Sequence, residues 1–171
     1  MVSGFSAQRT LDISGRAILA AGGLTDKDYS PILVPNVIRG ADDFAAGATD
    51  TFFFAFGAPK VREVDATVGG IRALEVPESG MPAARKIFPE GYLLPATPSP
   101  FFVGLEKPMG LYTWDFMLFT NAKVKDDVVY KLIETMANNK ADLCGNPARS
   151  PRLHGGRALQ ELQHAVPSRR A

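Results

Sequence analysis

The chain has 171 residues and is 46% hydrophobic, long enough to bury a core and short enough for one domain or one lobe of a larger fold. A net charge of +1 with 22% charged residues removes the bulk electrostatic case for nucleic acid or anionic lipid as a partner. The single cysteine, Cys144, excludes an internal disulfide and a cysteine metal cluster, and the only histidines, His154 and His164, fall in the last eighteen residues.

No stretch reaches the ~20 apolar residues needed to span a bilayer. The opening "MVSGFSAQRT" has neither the basic start nor the long apolar run of a secretion signal. "SAQRTLDISGRAILAAGG" predicts a helix with Ser6 as its N-cap, a shared face of Leu11, Ala17, Ile18 and Ala21, and a stop at Gly22-Gly23. "SPILVPN" predicts a short strand ended by Pro35, with Asn36 as the next cap. "VIRGADDFAAG" predicts a helix weakened by Gly40, which costs about 1 kcal/mol relative to alanine. "TDTFFFAF" predicts a strand whose aromatic density suits burial on both faces.

After Gly57 the alternation repeats. "APKVREVDATVGG" predicts a helix with Pro59 in its first turn and Val61, Val64 and Val68 on one stripe. "IRALEV" alternates like a strand, and "MPAARKIF" predicts a short helix. The proline-rich segment from Tyr92 to Pro108 predicts an extended connection without regular structure. "LYTWDFMLFT" predicts a strand with Tyr112 and Trp114 on one side, lining a cleft or filling a core. "KDDVVYKLIETMANNK" predicts a helix with Asp126 and Asp127 at its positive end and Val128, Leu132, Ile133 and Met136 on its apolar face. Strands alternating with helices at short intervals imply an α/β fold with helices packed on a sheet. The domain reading is an α/β lobe over 1–91, a crossover over 92–108, a returning strand and helix over 109–144, and a divergent tail over 145–171 with five arginines against the single acid Glu161.

With both histidines in that tail, a nucleophile-base pair has no base in the core, so the chain is not read as an enzyme. The paired glycines of "VGGIR" and "AAGGL" lack the lysine and hydroxyl residue of a phosphate loop. Asp42-Asp43 and Asp126-Asp127 point about 100° apart on a helix and form no carboxylate dyad. No metal and no cofactor is expected. Ligands of open α/β sheets bind beyond the carboxyl ends of the strands, where helix N-termini present unpaired N–H groups. Three junctions of that kind occur: "FSAQRT" with Ser6, Gln8, Arg9 and Thr10; "VPNVIRG" with Asn36 and, one turn on, Arg39; and "FAFGAPK" with Phe56, Gly57 and Ala58. A guanidinium beside backbone N–H groups suits a carboxylate. The same residues also have bland readings, Ser6 and Asn36 as caps, the arginines as solvated surface, and the phenylalanines as core.

Two stretches, "AGGLTDKDYSPILVPNVIRGADDFAAGATDTFFFAFGAPKVREVDATVGGIRAL" and "FMLFTNAKVKDDVVYKLIETMANNK", resemble the TAXI family of solute-binding subunits of tripartite ATP-independent periplasmic (TRAP) transporters. The resemblance rests on the Gly-Leu closing the first helix, the acidic "G-x-x-D" entry to an apolar strand and the "KDDVVY" helix start, and it covers Gly4 to Leu143. It implies a type II periplasmic-binding-protein fold, here the second lobe plus part of the return segment to the first lobe, with an export signal and most of the first lobe expected before Met1. It also implies a small organic-acid or amino-acid solute, TRAP membrane permease subunits as partners, and a periplasmic location for the full-length family member. Beyond Leu143 the histidine-proline-glycine-alanine ending of the family is missing, and "PRLHGGRALQ" does not substitute for it. The other expectations to weigh are the effector-sensing domain of a transcription regulator, which shares the fold, and a small α/β enzyme.

Overall fold

The computed structural model describes residues 1–115 and 117–139 of the chain, which divides into two units, Met1–Phe116 and Met117–Ala171. In the first unit, β1 (Val2–Phe5) pairs in parallel with β2 (Pro31–Val34), Val2 opposite Pro31 and Phe5 opposite Val34. Parallel neighbours cannot be joined by a hairpin. The chain crosses between them as helix α1 (Arg9–Ala21), which ends at Gly22 and Gly23, the latter with φ of +81°. On its other side Val2 bridges Thr51, again in parallel, so β1 lies between β2 and the start of the Phe-rich segment. Helix α2 (Val37–Ala45) leads out of β2, and α3 (Pro59–Val68) follows the phenylalanines.

The Phe-rich run corrects the expectation of a doubly buried strand. Its side chains do alternate: the Phe52 ring packs at a tilt 4.8 Å from Phe44 of α2, while Phe53 lies 6.5 Å from Phe5 and faces Gly15 of α1. This alternation puts α1 and α2 on opposite faces of the parallel strands. Regular pairing nevertheless stops at Thr51, and Phe52, Phe53 and Phe54 all remain half-buried. Aromatic alternation decides which face a side chain takes; it does not bring a neighbouring backbone within ladder distance.

A 3₁₀ turn (Glu78–Gly80) enters helix α4 (Met81–Ile87), which is followed by an antiparallel ribbon of β3 (Tyr92–Ala96) and β4 (Met109–Thr113). The expected unstructured connection over 92–108 therefore begins with a strand. Pro95 is accommodated opposite Gly110 because each strand of a two-stranded ribbon has an open edge, where a missing N–H is harmless. "IRALEV" forms no strand; it is tied across to residues 104–107 by the Ala73 N–H donating to Gly104 O at 2.8 Å and by Lys107 donating to Glu75 at 2.6 Å, and among the described residues no strand lies there to continue a ladder. β4 stops at Thr113, short of the strand expected through Thr120. Tyr112 and Trp114 fill core space rather than a cleft: the Tyr112 hydroxyl donates to Phe88 O at 3.3 Å, and the Trp114 ring stands edge-on to Phe88 at 5.7 Å.

The core between α1 and α4 is built from small residues. Ala17, Ala21 and Ala84 are buried with Val76 and Met81, and Ile18, Phe88, Leu93 and Tyr112 close around them. Gly80 lies so close to α1 that a Cβ there would overlap the backbone of Ala21. In the second unit, α5 (Asp126–Asn138) starts with Asp126 and Asp127 in its first turn, as expected, and none of its described residues is buried. The 145–171 tail, with Cys144, His154 and His164, lies outside the described residues. Among those residues no helix is long and apolar enough to cross a membrane.

Two outcomes follow from this packing. Gly80→Ala must push α4 off α1, and is expected to lower stability by about 3 kcal/mol, the upper range for forced overpacking, in chemical denaturation. Tyr92 and Tyr112 both have raised pKa values, Tyr92 chiefly through its hydrogen bond to Asp115 and then burial, Tyr112 chiefly through burial. A phenol whose pKa rises on folding stabilises the native state while protonated and loses that contribution as pH climbs through the folded value. Stability should thus hold through pH ~9 and fall above ~10, with ultraviolet phenolate absorbance rising later in native than in unfolded chain.

Candidate functional site

Because the parallel strands share one direction, the chain leaves each of them at the same end, and α1 and α2 begin at that rim, while α3 begins eight residues beyond the Thr51 bridge. Their N-termini differ in how the backbone N–H groups are satisfied. α2 is closed. Asn36 Oδ1 accepts from the Arg39 N–H at 3.0 Å, as its cap position predicted, and Gln8 Oε1 reaches across from the β1–α1 turn to accept from the Val37 N–H at 3.2 Å.

α1 is open. Ser6 does not cap it, contrary to expectation: its N–H and hydroxyl both donate to Val34 O, at 3.0 and 3.3 Å, extending the β1–β2 contact. Gln8 occupies the cap position but makes no side-chain cap bond. Asp12, in the first turn, turns back to accept from the Phe5 N–H at 3.1 Å. The N–H groups of Arg9, Thr10 and Leu11 thus have no acceptor among the described residues, and the exposed Arg9 and Thr10 side chains make no hydrogen bond or ion pair there. Arg39 is engaged, 2.8 Å from Asp43.

α3 has Ala58 at its cap position without a side-chain acceptor, and Pro59 supplies no N–H at its first residue. Gly57, with φ of +77°, makes the turn, and the Phe102 ring lies 3.4 Å from where a Cβ would stand. Phe56 is 37% exposed and meets Phe102 edge-on at 5.9 Å, while Arg62 lies over Phe101 at 5.4 Å. Lys60 sits between Asp42 at 2.7 Å and Glu63 at 2.6 Å, and these hydrogen bonds, Asp42's first, raise its pKa. The structure therefore joins Ser6, Gln8 and Asn36 in one corner beside Arg9 and Thr10. It sets Phe56 and Gly57 against Phe101 and Phe102, with Ala58 next in the chain, and no hydrogen bond, ion pair or ring contact links this set to the first among the described residues.

A second feature escaped the sequence reading. Between α1, β1 and β2 lies a hollow of about 310 Å³, walled by Leu11, Leu19, Leu33 and Phe53 and rimmed by Asp12, Arg16, Asp26 and Tyr29. Its only sequence signal is the stripe of Asp12, Arg16 and Leu19 at helical spacing, and nothing in that stripe says that the β2 face beside it stays uncovered. Among the described residues no group of three or more His, Cys, Asp and Glu side chains could hold a metal ion. Neither protein-family models nor curated proteins give a match to this sequence.

The caps can be separated from the open end by substitution. Asn36→Ala and Gln8→Ala each strip an acceptor from α2 and should each cost about 1 kcal/mol in thermal or urea unfolding. Arg9→Ala removes an exposed, unpaired side chain and should change stability by less than about 0.5 kcal/mol.

Proposed function

We propose that this chain binds a small organic anion, an amino or carboxylic acid, at the open N-terminus of α1, and that it does so as the solute-binding component of a TRAP-type secondary transporter. The supporting observation is the contrast between neighbouring helix ends: α2 has its Val37 and Arg39 N–H groups taken by Gln8 and Asn36, whereas α1 offers the N–H groups of Arg9, Thr10 and Leu11 beside the Arg9 guanidinium, unpaired among the described residues, and the Thr10 hydroxyl. Helix N-termini favour anions through aligned peptide dipoles, and a guanidinium can grip both oxygens of a carboxylate. This reading moves the weight of recognition onto Arg9 and Thr10, because Gln8 and Asn36 commit their acceptor oxygens to backbone N–H groups.

The transport role rests on the resemblance of "AGGLTDKDYSPILVPNVIRGADDFAAGATDTFFFAFGAPK" and "KDDVVYKLIETMANNK" to the TAXI subunits. A mixed α/β unit with helix starts gathered at the carboxyl end of parallel strands is compatible with one lobe of the type II binding-protein fold, and α1 of that lobe would then face the solute. Delivery to membrane permease subunits in the periplasm belongs to the same proposal.

Calorimetry or NMR titration against a panel of organic acids and amino acids tests the site. Saturable binding should shift the amide resonances of Arg9, Thr10 and Leu11, and Arg9→Ala should weaken it about ten-fold or more, the value of a charge-assisted hydrogen bond. Binding that leaves those amides unmoved, or that survives Arg9→Ala intact, would remove the proposal.

A further inference from the structure

We infer that the hollow between α1 and β2 is a second, separate binding site, for a small primary amine with an aromatic or branched aliphatic body. Its volume of about 310 Å³ is at the lower end for small-molecule pockets, ~300–1,000 Å³, and its walls are the side chains of Leu11, Leu19, Leu33 and Phe53. Leu33 is 66% exposed, so its apolar surface is already partly out of contact with the rest of the fold and would gain from being covered. Gly4 and Gly15 also line the hollow, and neither needs glycine for a positive φ. A Cβ at Gly15 would stand 3.3 Å from the Phe53 ring, and one at Gly4 would stand 3.0 Å from Leu33 Cδ2, so the missing side chains are what let the aromatic and aliphatic walls close to their present spacing.

Charge then selects the ligand. The rim carries two carboxylates, Asp12 and Asp26, against one guanidinium, Arg16. Asp26 is spent: Arg16 donates to its Oδ2 at 3.2 Å, and the Tyr29 hydroxyl donates to its Oδ1 at 3.0 Å. Asp12 is only half used. Its Oδ1 takes the Phe5 N–H, while its second oxygen accepts no hydrogen bond among the described residues. The hollow thus presents one uncompensated carboxylate oxygen beside apolar walls, which complements an ammonium attached to an apolar group and repels a carboxylate. Tyr29, whose pKa is raised by burial and then by Asp26, stays neutral near pH 7 and adds aromatic surface to the rim without adding charge.

NMR titration of the whole chain with 2-phenylethylamine, against 2-phenylethanol and 3-phenylpropionate as neutral and anionic counterparts, decides the matter. The amine should bind saturably with shifts at Gly4, Gly15 and Leu33, about ten-fold tighter than the alcohol, with the anion weakest at this site. Asp12→Asn keeps the Oδ1 acceptor for Phe5 and should erase the preference of amine over alcohol. Leu33→Ser, at an exposed position, should weaken both. Equal binding of amine and alcohol to the unmodified chain, a preference that survives Asp12→Asn, or no saturable shift at these residues would each overturn the inference. The comparison of amine with alcohol needs no variant, so it decides even if Asp12→Asn fails to fold.

Discussion

The hydrogen bonds between Val2–Phe5 and Pro31–Val34 join two strands that point the same way, and that single sense governs what the first unit can present to a ligand. A parallel partner can be reached only by a crossover, so each strand must be followed by chain that returns over a face of the sheet. The bridge from Val2 to Thr51 applies the same rule on the other side of β1. The helices that follow β1 and β2 consequently begin at one rim, where the open N-terminus of α1 lies beside the capped N-terminus of α2. An antiparallel arrangement would have distributed those starts over both ends.

Helix α1 is the shared wall of the unit, and its residue sizes match what each side requires. Towards the parallel strands it turns Gly15, against which the Phe53 ring rests. Towards α4 it turns Ala17 and Ala21, which meet Ala84, Met81 and Val76. Small residues on facing helices shorten the distance between axes and trade large buried side chains for close backbone approach. Among the described residues, Val64 of α3 is the largest side chain that is essentially fully buried. Such a core gains less from apolar area and more from contact density, which makes it intolerant of added atoms at Gly80.

Local chemistry made the helices legible from the sequence. Asn36 before α2, Pro59 opening α3, Gly69 closing it in a left-handed conformation and the paired aspartates opening α5 all act within a turn of their own position. Strands were less legible, since a strand exists only where another backbone lies beside it. "IRALEV" and the Phe-rich run have the right alternation but lack that neighbour, and Pro95 entered a ribbon whose open edge the sequence does not announce. The mixed α/β class survived these errors because it depends on the order of elements, not on their pairing. At the site, the role of Asn36 was readable, but that of Gln8 was not: its partner, the Val37 N–H, is 29 residues away and becomes a neighbour only through the crossover. The hollow beside Leu33 was hidden for a related reason, since it depends on where α1 lies over the sheet.

The distribution of charge among the three helix starts is why the proposed anion is assigned to α1. Each N-terminus carries an effective charge of about +0.5 from aligned peptide dipoles. At α2 that field is met by neutral amide oxygens, and the nearby Arg39 is balanced by Asp43. At α3 the nearby Lys60 is flanked by Asp42 and Glu63, two acids to one base, which opposes the dipole. At α1 the acid in the first turn, Asp12, is turned towards Phe5 and the hollow, while Arg9 remains unpaired among the described residues. Asp12 and Arg9 face different tasks, so one helical turn separates a cation available at the rim from a carboxylate available to the hollow. Under the two proposals, that division would have a single helix start favour an anion on one side and an ammonium on the other, without either charge being neutralised by its neighbour in an ion pair.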